Sequence, residues 1–440
     1  MELSAFPGFL FSVFDRFTVL TVFFTVFALA LDYMKRRKKC QNYPPGPRGL
    51  PFIGNIHQVD LNNPHLSFAK LWKKYGDVVG VQFGWSNKVI LNGYETLKEA
   101  LVKKSEDFAD RPDLAIYKDM TERVGEGIIF ARYGQWWKEQ RKFSLLTLRN
   151  FGLGKKSLEM RIMEEAGFLN KEFEDEKGPH NKIFESQKKA IDFVQEIVTE
   201  HKKSWDPNEP RDFIDAFLAE QEKKKNVPGT SFLENNLMGT VLDLFIAGTE
   251  TTSTTLRWGL LYMMLHPDVQ SKVHEEIDSV VGKERKPTLE DREEMPYTNA
   301  VIHETQRLGN IVPISLPHQT YRDTEIMGYT IPKGTTIIPN LSSAMFDENI
   351  WSTPHQFNPG HFLNSEGKFV KQEAFLPFSA GRRVCLGEQL AKTELFLFFT
   401  YMLQQFTFHV PENESRPSYM EAKYGTTLSP LPYRLCAKLR

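Results

Sequence analysis

From Asn235 to His266 the chain is apolar on nearly every side of a helix. Such a helix has no polar face to offer water, so it either crosses a membrane or lies enclosed by protein. Asp243, Glu250 and Arg257 stand inside it, and ionisable groups are costly in lipid, which favours enclosure. The chain is large enough to provide it: 440 residues, 41% hydrophobic and 12% aromatic, supply an ample core. The middle of the helix, Ala247-Gly248-Thr249-Glu250-Thr251-Thr252, breaks the apolar pattern. Gly248 costs about 1 kcal/mol relative to alanine and removes bulk from one face, as a flat ligand against the helix would require. Thr251 and Glu250 beside that gap are candidate proton carriers. The alternative is a kinked core helix whose hydroxyls bond back to the preceding turn.

Cysteine usage narrows the chemistry. Only Cys40, Cys385 and Cys436 occur, odd in number and far apart, which fits neither a disulfide framework nor a zinc site. Cys385 lies in FSAGRRVCLGEQLAKTE, Phe378 to Glu394, at the head of an amphipathic run. A thiolate there gains from the helix dipole, and Arg382 and Arg383 lower the cost of its charge further. Gly381 and Gly387 let backbone amides approach the sulfur, and Phe378 offers a flat apolar wall. With one cysteine available, a soft or borderline metal takes its other ligands from a cofactor, and haem meets that requirement. An inert structural thiol is the alternative. Lys plus Arg number 55 against 56 Asp plus Glu, so no nucleic-acid partner is indicated.

The first 34 residues differ from the rest. Phe17 to Leu31 is uncharged and almost wholly apolar, and Lys35, Arg36, Arg37, Lys38 and Lys39 follow. A bilayer takes about 20 apolar residues, and Tyr33 and Met34 extend one end. Positive charge after the apolar stretch disfavours a cleavable signal peptide and marks the cytosolic flank. Residues 1–34 are therefore expected to be a membrane anchor with the body in the cytosol, and the sequons at Asn340 and Asn413 to be unglycosylated. Residues 35–47, basic and then Pro44-Pro45-Gly46-Pro47, read as a stiff hinge. The body, 48–440, reads as mainly α. A hairpin is expected from 78–84 and 88–93 around Trp85-Ser86-Asn87. Helices are expected at about 94–104, 134–147, 155–176, 180–204, 210–225, 234–265, 267–281, 296–308 and 386–406. GEGIIF and GLGKKS fail the dinucleotide fingerprint, so reducing equivalents come from another protein.

The stretch around Cys385 resembles the haem-binding signature F-x-x-G-x-x-x-C-x-G of the cytochrome P-450 haem-thiolate monooxygenases, matched at Phe378, Gly381, Cys385 and Gly387. Ala247 to Thr252 is similar to the family's oxygen-activation motif, Glu304 and Arg307 to its E-x-x-R, and Trp137 with Arg141 to its W-x-x-x-R. Phe357, Pro359, His361 and Phe362 resemble the F-x-P-x-[RH]-F element, with His361 where arginine is commonest. The resemblance implies the P-450 fold, with a small β-sheet region near the N-terminal side, and haem b with Cys385 as axial iron ligand. It further implies that Arg383, Trp137, Arg141 and His318, as a further donor, hold the propionates, and that Thr251 and Glu250 deliver protons. Ala247 and Gly248 would lie against the cofactor, while Glu304, Arg307 and His361 support the cysteine loop. The implied reaction inserts one oxygen atom from O2 into lipophilic substrates such as arachidonic acid and other polyunsaturated fatty acids, or xenobiotics. Electrons would come from NADPH through NADPH-cytochrome reductase, with cytochrome b5 as a second partner, at the endoplasmic reticulum membrane. Lys138, Lys142, Arg382 and Arg383 offer the reductase a basic patch. The pocket would draw on the loop after Phe108, the central helix around Phe245, Ile311 to Ser315, and Thr426 to Leu428.

FADRP, WWKEQRKF, RNFGLGKKS and TETTSTTLRW bring the chain nearest to the microsomal family 2 enzymes, in the manner of their J subfamily. One departure stands out. Two helical stretches are read between Lys177 and Glu234 where the family has four, so helices E and F are expected to be missing, with a deletion near 177–180. Each large side chain left uncovered would forfeit about 1.5–3 kcal/mol against a total stability of about 5–15. The competing expectation is a catalytically impaired isoform that keeps the anchor, the haem or the reductase surface.

Overall fold

Apolar periodicity organises the chain around one enclosed helix. The computed structural model describes residues 6–36, 40–113, 125–151, 179–425 and 427–440. The expected helix at 155–176, the segment 177–178 at the deletion point, Thr426 and three of the five basic residues after the anchor lie outside them. The central helix runs unbroken over Glu234–Leu265. Its C-terminal half buries Trp258, Leu261, Tyr262, Met263 and Met264 against Phe396, Phe398 and Phe399 of helix Glu388–Gln405 and against Pro296–Gly309. Gly259 permits that approach, because a Cβ there would meet the Phe399 ring at 3.1 Å. The N-terminal half packs on Pro179–Ser204 and Phe213–Lys224 through Val194, Val198, Phe217 and Leu242.

The sheet differs from its expected description. Strands Val78–Phe83 and Ser86–Leu91 form the hairpin, but Phe83 pairs with Ser86, so the turn is Gly84-Trp85 and not residues 85–87. Gly84, at φ 59°, supplies the positive dihedral that a two-residue turn needs. The sheet is also not purely N-terminal. Thr336–Pro339 pairs in parallel with Ser86–Leu91, and His318–Gln319 closes its far edge. Among the described residues three two-stranded sheets lie elsewhere, two of them near the C-terminus.

At the N-terminus Phe6–Arg36 is one helix. Among the described residues no helix is long and apolar enough to cross a membrane. Tyr33 and Met34 do not extend the apolar run as expected, because Asp32 precedes them. Asp32 is buried, and its Oδ1 accepts the Phe52 N–H at 3.0 Å and the Trp85 indole N–H at 2.9 Å. Asn340 is buried too, its amide donating to Asn92 at 2.8 Å.

Candidate functional site

The Cys385 loop is built by backbone geometry. Gly381 sits at φ 74°, and a Cβ on it would lie 1.5 Å from the Leu101 carbonyl oxygen, so no other residue fits. The short 3-10 turn Gly381–Arg383 follows, and the Cys385 N–H closes the loop on the Phe378 carbonyl at 2.9 Å. Helix Glu388–Gln405 begins at once, with Gly387 as its N-cap. The thiol is open on one side, yet the surrounding protein is dense enough that burial pushes it up, with Glu388 adding to the shift. The Gly387 N–H and Arg141 oppose that rise. Arg382 and Arg383 do not act as expected. Arg382 is exposed over the Tyr133 ring, and Arg383 turns away to stack on Trp137 at 4.2 Å. Arg141 is the cation that the sulfur feels.

Beside this loop three guanidinium groups converge. Trp137 and Arg141, one turn apart on helix Gln135–Asn150, bring Arg141 Nη2 to the Val384 carbonyl at 2.6 Å. Buried Arg383 donates to the carbonyls of Ala109 at 2.7 Å, Ile128 at 3.3 Å and Ala131 at 2.6 Å. Arg111 donates to Ile129 at 3.0 Å and to Pro317 at 2.7 Å. Its guanidinium was not singled out from sequence, although FADRP contains it. None of the three pairs with a carboxylate among the described residues; nearby Asp110 is taken by Arg132 at 2.6 Å. Burial, then mutual repulsion, push Arg383 down to about 8 and Arg111 to about 10. A buried cationic cluster without an anion is costly, and a dianionic ligand would relieve it.

His318 adjoins the cluster with its one N–H spent on the main chain. Its Nδ1 donates to the Phe108 carbonyl at 2.7 Å, and burial with Arg111 keeps the ring neutral. Nε2 is then an acceptor.

On the central helix the Thr251 hydroxyl donates to the Ala247 carbonyl at 2.6 Å, and Thr255 to Thr251 at 2.8 Å. The back-bonding alternative is thus present without breaking the helix. Glu250 accepts from Thr427 at 2.7 Å and from Thr254 at 3.4 Å. Glu250 and Thr251 are not hydrogen-bonded to each other. A Cβ on Gly248 would meet nothing within 4 Å, so open space lies against that face. Glu394, unassigned from sequence, accepts from Thr252 at 3.0 Å, and burial raises its carboxyl. Glu304, Arg307 and His361 form a separate buried network. Arg307 binds Glu304 twice at 2.7 Å, and His361 Nδ1 lies 3.2 Å from the same carboxylate. Thr353 N–H reaches His361 Nε2 at 3.3 Å, so a neutral imidazole satisfies both sides. Histidine in place of arginine does not open the network.

An open thiol, open space at Gly248 and an anion-seeking cluster fit an iron porphyrin carrying two carboxylates. The family model described as Cytochrome P450 matches residues 44–185 and 176–437. Cytochrome P450 2D20 of Mesocricetus auratus is 45% identical over 488 aligned positions, covering 95% of this chain and 97% of that protein. Cytochrome P450 2D3 of Rattus norvegicus is 45% identical over 490 positions, covering 95% and 97%. Cytochrome P450 2D15 of Canis lupus familiaris is 44% identical over 495, covering 97% and 99%. These relatives carry 2D names, so the likeness to subfamily J is not what the comparisons return. The chain belongs to the cytochrome P450 family, in its family 2, and is a haem-dependent monooxygenase.

Proposed function

We propose that Cys385 would ligate the iron of a haem whose carboxylates Arg111, Arg141, Arg383 and Trp137 would hold. The observation that carries this reading is the cluster of buried Arg111 and Arg383 with half-buried Arg141, which has no carboxylate partner among the described residues. Haem, when bound, supplies the activation of O2, chemistry for which the chain has no group of its own. The protein's part is electrostatic and protonic. Arg141 and the Gly387 N–H, which both favour the charged form of Cys385, would hold the charge of the ligating thiolate. His318 Nε2 would donate to a carboxylate only when an anion beside it draws a second proton onto the ring. Thr251 Oγ1 and the Glu250 carboxylate would pass protons across the Gly248 gap, and Thr427 and Thr254 orient the carboxylate. The apolar surroundings, Phe245, Ile311 and Leu428 among them, suit lipophilic substrates, fatty acids or xenobiotics. NADPH-cytochrome reductase, with cytochrome b5 second, supplies electrons at the face bearing Lys138, Lys142 and Arg382, all exposed. Residues 1–34 anchor the body to the endoplasmic reticulum membrane; the exposed apolar side chains from Phe17 to Leu31 support this.

A second reading concerns length. We infer that the chain is a shortened family member lacking two helices near 177–180. Two facts support this: the family match breaks into two segments meeting at 176–185, and its relatives align over 488 or more positions against 440 residues. Phe193, Phe245 and Ile246 are 48%, 53% and 41% exposed where a roof would cover them. An open roof admits water and weakens coupling of oxygen use to substrate oxidation. The test is the reduced carbon-monoxide difference spectrum of membranes bearing this chain, its Cys385→Ser variant and a version with the two helices restored. A thiolate-type band in the parent that Cys385→Ser abolishes supports the enzyme. A band only in the restored version supports the impaired isoform, and no band in any form refutes the haem reading.

A further inference from the structure

The carboxylate of Glu250 is held from outside its own helix. Thr427, directly before strand Leu428–Pro430 of the C-terminal hairpin, is 3% exposed. Among the described residues its hydroxyl faces three side chains: Glu250 Oε1 at 2.7 Å, Thr254 Oγ1 at 3.4 Å and Ser429 Oγ at 3.4 Å. A hydroxyl carries one proton, and of these neighbours only an ionised carboxylate is purely an acceptor. The short distance assigns the Thr427 proton to Glu250, as a charge-assisted bond. Thr254 donates to the same oxygen at 3.4 Å. Both bonds that Glu250 accepts end on Oε1, which leaves proton exchange to Oε2.

The hairpin does not depend on that bond for its own place. The Leu428 N–H donates to the Ile311 carbonyl at 2.8 Å, the Trp258 indole to the Leu428 carbonyl at 2.9 Å, and the Tyr433 hydroxyl to the Arg257 carbonyl at 2.6 Å. Main-chain groups fix the hairpin on the central helix, and the Thr427 hydroxyl is available to fix the acid. We propose that Thr427 is the positioning residue of Glu250: it pins Oε1 to the C-terminal hairpin and so sets where the acid stands relative to Thr251. The same hairpin presents Leu428 to the lipophilic substrate in the reading above, so the way a substrate seats against it also sets the acid, and with it the share of oxygen use that ends in product. The proposal rests on the proton-delivery reading for this consequence, whereas the hold on Glu250 is a property of the polypeptide.

The test uses the full-length chain with Thr427→Val, which keeps the shape and removes the hydroxyl, Thr427→Ser, which keeps the hydroxyl, Glu250→Ala, and Thr427→Val combined with Glu250→Ala; Thr427→Ala replaces the valine variant if that does not fold. Urea unfolding reads the hold without turnover. The two single changes should be non-additive by roughly 10-fold in the unfolding constant, as for a hydrogen bond to a charged group, and additive effects overturn the proposal. Hydrogen exchange at the Leu428 amide should stay parental in Thr427→Val; faster exchange would make Thr427 a pin for the hairpin and overturns the positioning role. Turnover of arachidonic acid reads the consequence, in the parent or, where that is inactive, in the version with the two helices restored. Thr427→Val should lower kcat and the product formed per NADPH by roughly 10-fold with KM within about twofold, and Thr427→Ser should restore both. Unchanged product per NADPH in Thr427→Val, or no rescue by Thr427→Ser, overturns the proposal and leaves the haem reading intact. If neither form turns over this fatty acid, the substrate reading fails, and the unfolding cycle alone decides whether Thr427 holds Glu250.

Discussion

Replacing Arg307 with leucine isolates what the buried network contributes. Arg307 and Glu304 are both 0% exposed. The guanidinium makes two bonds of 2.7 Å to Glu304, two of 2.8 Å to the Met345 and Pro354 carbonyls, and one of 3.3 Å to Gln356. Arg307→Leu leaves the Glu304 carboxylate with only His361 Nδ1 and the Asn358 N–H at 3.0 Å. Stranding one charge of a buried pair costs about 3–5 kcal/mol, a large share of a total stability of about 5–15. Glu304→Leu with Arg307→Leu removes both charges and leaves mainly carbonyls, whose loss of a donor is cheaper. The double variant should therefore be less destabilised than Arg307→Leu alone, a non-additivity expected of partners in contact. Urea unfolding of the detergent-solubilised chain, followed by far-ultraviolet circular dichroism, reads both. Arg307→Leu within about 1 kcal/mol of the parent, or a double variant no better than the single, refutes the reasoning.

Burial raises the Asp243 carboxyl from 3.8 to about 7. Its contribution to stability is therefore fully present below pH 4 and is lost as pH rises through 7, by up to about 4 kcal/mol. Urea midpoints at pH 5 and pH 8 should differ less in Asp243→Asn than in the parent, and equal differences would count against burial as the source of the pH dependence. Gly381→Ala forces its Cβ onto the Leu101 carbonyl; it should erase the thiolate-type carbon-monoxide band while retaining most helical dichroism, and a normal band would exclude the loop geometry. Lys138 and Arg382 share the Tyr133 ring on the face proposed for the reductase. Charge reversal at both should slow reduction, with less effect in high salt. A salt-independent rate equal to the parent's would remove that surface from consideration.

The long elements were legible where one physical signal dominated. Glu234–Leu265 was bounded correctly because its apolar run has no rival conformation, and Pro267 and Pro296 start their helices where a missing N–H costs nothing. Helix Pro64–Tyr75 went unread despite the same proline signal, because its apolar positions are few and only Pro64, Ser67 and Phe68 are buried. The expected helix at 94–104 is present but changes type, α over Tyr94–Lys98 and π over Glu99–Lys103. Its side-chain pattern could not reveal this, since α and π turns differ in backbone pairing and hardly in composition. The sheet's edges escaped for a related reason. Strands as short as His318–Gln319 show no alternation and exist through pairing with Thr336–Pro339.

The same distinction explains what was missed at the site. Cys385, Thr251 and the Glu304–Arg307 pair announce themselves through neighbours close in sequence. Arg111 and Asp243 do not, because their partners are peptide groups, identical in every residue except proline. Asp243 meets Ile128 across 115 positions and Arg383 meets Ala131 across 252, so no side-chain pattern connects them. Sequence did leave one trace, Gly127, whose missing Cβ is what allows the Asp243 carboxylate in. That glycine stands in GEGIIF, read above only as a failed dinucleotide motif; its physical meaning is close approach, here to an acid and not to a phosphate. A main-chain clamp tolerates substitution at Ile128 and Ile129 but not at Gly127 or Asp243. Ile128→Ala and Ile129→Ala should therefore leave exchange at these amides unchanged where Gly127→Ala abolishes their protection, and equal effects at all three positions would mean that apolar packing, not the carboxylate, holds the loop.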